Sequence, residues 1–248
     1  MASTLGTLLR RTLWGRDRGR MRATWRILLG FGVILGVLLG GSRVLRGVPF
    51  PDVLVNGPTA LLVCVAVGAY ALVASLVPGE RPLREYGFAF DRQWALDSLA
   101  GVLAGCAFQA LVTGMLFATG SARVVETFSA GVAAGGGPTA VAVAVAATAV
   151  AFAAVALWEE LLFRGVFVLN ASEGLAARGL EPRRAVWAAV GVGVLVFGPG
   201  HALVAAGGVS PVFAAAQASV AAVYFGAAYV LTGSLAFPIG IHSATNLW

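Results

Sequence analysis

Two adjacent glutamates, two histidines and an asparagine lie inside long apolar stretches of this 248-residue chain, and these are the groups whose types and spacing could do chemistry. Glu159 and Glu160 are followed four positions later by Arg164; His201 ends the run Phe197, Gly198, Pro199, Gly200; His242 is followed four positions later by Asn246. The chain has no other histidines. An ionisable side chain placed mid-way through an apolar helix costs about 2.5 to 3.5 kcal/mol on insertion scales, so each one calls for a partner or a function. A carboxylate and a histidine together can take a proton from water, and neutral donors beside them can hold a carbonyl oxygen as it becomes negative.

Helical geometry separates the roles. Glu160 and Arg164 share a face and can pair, whereas Glu159 lies about 100° round the helix and faces something else. Glu159 is therefore the carboxylate left available as a general base. Pro199 has no amide proton and clashes with the preceding turn, so the helix is expected to kink or open just before His201. Such irregular backbone is tolerated at membrane depth only where it is packed in protein or lines a wet cavity. His242 and Asn246 share a face near Ser243 and Thr245, an arrangement suited either to an oxyanion or to a polar clasp between helices.

The ordered trio resembles the membrane-embedded peptidases of the CAAX-processing and bacteriocin-processing family, often called CPBP or Abi proteins. It rests on Glu159-Glu160-Leu161-Leu162-Phe163-Arg164, then Phe197 with His201, then His242 with Asn246, and covers about 138 to 248. The resemblance implies an intramembrane endopeptidase in which Glu159 and His201 hold and activate the attacking water. It implies further that His242 and Asn246 stabilise the oxyanion, with Glu160 and Arg164 in support. Members are described both as metal-free glutamate peptidases and as metallopeptidases. A zinc site would take Glu159, His201 and His242 with water as the fourth ligand.

The elements that must position these groups follow from composition. The chain is 59% hydrophobic and only 11% charged, about half the charged fraction of a soluble domain. The expected fold class is all-α, a polytopic transmembrane bundle of about seven spans, because lipid offers the backbone no partners and the alternation of barrel strands is absent. The spans fall near 27 to 45, 57 to 78, 94 to 119, 138 to 169, 185 to 206, 211 to 232 and 234 to 248. Gly32, Gly36 and Gly40 in the first and Gly101 and Gly105 in the third have the fourfold spacing that suits close helix contact. Three regions are expected: a basic interfacial arm over 1–26, N-terminal helices with an external loop over 27–137, and a catalytic core over 138–248.

All 17 basic residues are Arg, against 11 acids. The absence of Lys beside heavy use of Ala, Gly and Val reads as the codon bias of a GC-rich prokaryotic genome, which makes a prokaryotic plasma membrane the expected location. The arm, the segment 79 to 93 and the segment 170 to 184 together hold 13 of the Arg, which predicts a cytoplasmic N-terminus. The same count argues against nucleic-acid binding. Cys64 and Cys106 read as small buried side chains, and the acceptor pattern at Asn170 to Ser172 as coincidence. The partners expected are the lipid bilayer and a peptide or protein substrate at or in the membrane. A non-catalytic scaffold or immunity protein binding a peptide or membrane partner would use the same fold without turnover. A proton-relay transporter fits less well, since only one helix break and no inverted repeat are visible.

Overall fold

The computed structural model describes residues 12–14, 19–45, 57–77, 81–125, 127, 137–205 and 208–247. Most of the basic arm, including Arg10, Arg11, Arg16 and Arg18, lies outside them, as do residues 128–136 of the expected external loop. Eight α-helices account for most of the rest: α1, Ala23–Leu45; α2, Gly57–Leu76; α3, Arg92–Ala118; α4, Pro138–Glu160; α5, Leu169–Ala176; α6, Pro182–Ala202; α7, Pro211–Thr232; and α8, Ala236–Leu247. A π-helical stretch, Leu161–Val168, joins α4 to α5 without a break, and a short 3₁₀ turn, Leu83–Tyr86, precedes α3.

Local chemistry sets several boundaries. Pro138, Pro182 and Pro211 each open a helix, where a missing amide proton costs nothing. Asp91 caps α3 by accepting the Trp94 amide proton at 2.8 Å. Gly233, with φ of 64°, closes α7 in the left-handed conformation and turns the chain into α8.

Five helical segments are long and apolar enough to cross a bilayer: Ala23–Leu45, Arg92–Ala118, Pro138–Ala176, Pro182–Ala202 and Pro211–Thr232. Ala60–Leu76 is a shorter apolar helix, and the 12 residues of α8 rise only about 18 Å. The positions agree closely with the seven expected stretches. Large apolar side chains such as Leu39, Leu103, Leu111 and Leu195 face outward, as lipid permits. Tyr70, Tyr86, Leu161, Leu162, Val166 and Leu235 form the fully enclosed centre, around the π-helical stretch.

α8 is clamped between α3 and α4. Gly101 and Gly105 abut Phe237, Ile241 and Ala244, while Gly240 presses on the backbone of Ser98 and Val102, so no side chain fits between these two helices. The other glycine repeat does not behave this way. Gly32, Gly36 and Gly40 meet nothing within 4 Å; α1 packs instead through Gly30 against Val166 and Tyr70, and through Gly41 against Leu62. Nor does the sixth helix open at Pro199. It stays helical to Ala202, with Gly198 set flush against Ser219 and Ala215 of α7, and the irregular backbone lies in the π-helical stretch instead.

Candidate active site

Glu159 and Glu160 are the last two residues of α4, and the π-helical stretch begins immediately after them. Widened turns of this kind are frequent at functional sites. Arg164 nevertheless returns to the same face, and its Nη1 lies 3.0 Å from Glu160 Oε1. Both groups are sealed from solvent, with Glu160 at 0% and Arg164 at 2% exposure. The pairing expected from spacing is thus present.

A second contact was not legible in the spacing. His242 of α8 donates from Nδ1 to the same Glu160 Oε1 at 2.8 Å, and its Nε2 stands 3.7 Å from Glu159 Oε2. His242 therefore bridges the two glutamates. Glu160 Oε1 is held by two donors, while the Oε2 atoms of both Glu159 and Glu160 accept no hydrogen bond from a described residue. Glu159 is also the glutamate with residual exposure, 8% against 0%.

His201 lies on α6, partly exposed, and donates from Nδ1 to the Phe197 carbonyl at 2.8 Å. A carbonyl can only accept, so a neutral ring keeps its lone pair on Nε2. His201 is close enough to Glu159 to interact with it electrostatically, as His242 does. Asn246 sits one turn beyond His242, half-buried on α8.

Aromatic rings fix these groups. Phe225 of α7 stacks on His242, centroids 4.4 Å apart and planes 21° from parallel. Phe197 lies 4.5 Å from the His201 ring and 6.4 Å from His242. The Arg164 guanidinium is 4.9 Å from the Phe197 centroid and 5.2 Å from that of Phe225, which adds cation–π contact to its ion pair. Its Nη2 also reaches the Ala222 carbonyl at 3.5 Å. Phe225 had no sequence signal; it is one of 14 phenylalanines and belongs to no motif.

Four elements thus converge on the end of α4: the π-helical stretch, α6, α7 and α8. Residues 139–248, which contain all of them, match the family model described as type II CAAX prenyl endopeptidase Rce1-like. This part of the chain belongs to that family. The match, with five helices long and apolar enough to cross a bilayer, supports an integral membrane protein whose residues 139–248 are of the CAAX-type intramembrane protease family, a family that acts on peptide substrates at the membrane. No curated protein and no solved structure matches the chain.

Among the described residues of the Rce1-like domain and its neighbours, no three His, Cys, Asp or Glu side chains are gathered as a metal-ligand group. Cys64 is exposed and Cys106 half-buried, on different helices, rather than both buried as expected. Asn170 is fully enclosed, donating to the Val166 carbonyl at 2.7 Å, which is no place for a glycan.

Proposed function

We propose that Glu159 is the general base of a peptide hydrolase and that His201 holds the attacking water with it. The observation that carries this reading is the unequal treatment of the two glutamates: Arg164 and His242 both hydrogen-bond to Glu160, whereas Glu159 has neither as a hydrogen-bond partner and is the one with residual exposure. Glu159 takes a proton from water while the His201 Nε2 lone pair accepts the second water hydrogen, and the oxygen attacks the peptide carbonyl carbon. With a proton on each nitrogen, His242 donates from Nδ1 to Glu160 and from Nε2 to the developing oxyanion; the Asn246 amide supplies a second donor. Collapse of the tetrahedral species breaks the C–N bond, and the proton held by Glu159 passes to the leaving amine. Glu160 and Arg164 position His242. Residues 138–248 serve as the catalytic core, and the substrate is a peptide segment presented from the membrane or its surface.

The test is cleavage by the full chain in lipid nanodiscs. Glu159→Gln should lower kcat by about 10²- to 10⁴-fold, the range of a positioned acid–base group, with the melting temperature retained. Cleavage should persist with a zinc chelator present. Unchanged turnover in Glu159→Gln would remove the base assignment, and chelator-sensitive turnover restored by zinc would make Glu159, His201 and His242 ligands instead.

A further inference from the structure

Thirteen residues beyond Glu160, about 20 Å along the helix, a second ionic cluster closes the Arg-rich end of the bundle. Glu173 of α5 takes Arg26 Nη2 of α1 on one oxygen at 2.9 Å and Arg81 Nη2 on the other. Arg81 Nε lies 3.9 Å from the Glu85 carboxylate, which is 50% exposed. Arg20 and Arg26 both repel Arg81 electrostatically. Among the described residues, three guanidinium groups thus gather about two carboxylates. Arg26 is only 5% exposed, yet its Nε and Nη1 donate to no described residue. A buried guanidinium with unmade donors is costly unless an anion completes it.

The cluster lies at the level where headgroups are found. Trp25 opens α1, Trp94 opens α3 and Trp187 lies in the second turn of α6, all at this end of their helices. Trp25 and Trp187 are 37% and 41% exposed, as in an interfacial aromatic belt. Leu28, two residues from Arg26, is 54% exposed and continues the surface towards the hydrocarbon.

We propose that Arg20, Arg26 and Arg81 form a phosphate-binding site that holds the headgroup of an anionic phospholipid. The planar guanidinium fork matches phosphate oxygens in pairs, and the apolar flank of α1 receives the acyl chains. A free phosphate ion would share the headgroup chemistry but gain nothing from that flank.

The test measures phosphatidylglycerol binding to the full-length protein in phosphatidylcholine nanodiscs by native mass spectrometry. Arg26→Gln and Arg20→Gln should each weaken binding at least about tenfold, beyond the about fivefold attributable to any interfacial arginine. Arg92→Gln, at the same end but outside the cluster, should stay within that smaller loss. Arg20 is half-buried and leaves both Glu173 ion pairs in place, so its variant remains informative if Arg26→Gln fails to fold. Equal losses in all three variants, or no loss in folded Arg20→Gln, would overturn the site. Protection by inorganic phosphate in pure phosphatidylcholine, without phosphatidylglycerol binding, would overturn the lipid assignment in favour of a soluble anion.

Discussion

Glu160, Arg164 and His242 depend on one another, because none could be buried alone at this depth. Removing the cation leaves Glu160 sealed without its ion pair, so Arg164→Gln should lower stability by about 3 to 5 kcal/mol in thermal unfolding of the reconstituted protein. Glu159→Gln, by contrast, removes no hydrogen bond from Oε2 and should unfold near the wild-type temperature. The Glu160–Arg164 pair was legible because both residues sit one helical turn apart. The His242–Glu160 bond was not, since it spans 82 positions and exists only once α8 has docked. The stack of Phe225 on His242 was hidden for the same reason.

Docking of α8 is an element-scale property, set by its fit against α3 and α4. Gly240→Leu should force side-chain atoms into the backbone of Ser98 and Val102, costing about 1 to 3 kcal/mol or more and displacing His242. Gly36→Leu should be nearly neutral in the same melting and cleavage assays, because nothing lies within 4 Å of that position. The two glycine repeats look alike in sequence. Which one packs is decided by the face each helix turns to its neighbours, and periodicity does not carry that information. The π-helical stretch was likewise illegible: Leu161 to Val168 reads as ordinary apolar helix, while Pro199, the stronger local signal, sits near enough to the end of α6 for the helix to run through it. Helix starts were easier, since caps are local. Asp91→Ala should destabilise α3 by about 1 kcal/mol, measurable as a lower melting temperature.

Across the whole molecule, alternating helices bring Arg20, Arg26, Arg81, Arg84, Arg92, Arg178, Arg183 and Arg184 to one end, and leave Arg43 and Arg123 at the other. The bundle and the order of its spans were legible because apolar length is a direct demand of the bilayer. We propose that the Arg-rich end is cytoplasmic. In a Cys64→Ala, Cys106→Ala background, a membrane-impermeant thiol reagent added outside intact cells should label Arg123→Cys and spare Arg178→Cys; the reverse pattern would invert the topology.

The central claim, that Glu159 drives peptide hydrolysis, is tested most directly by incubating a diverse quenched-fluorescent peptide library with the nanodisc-embedded wild type and with Glu159→Gln of matched melting temperature. Cleavage at defined bonds by the wild type, lost in Glu159→Gln, is the predicted result. Equal cleavage of the same bonds by both proteins would contradict it.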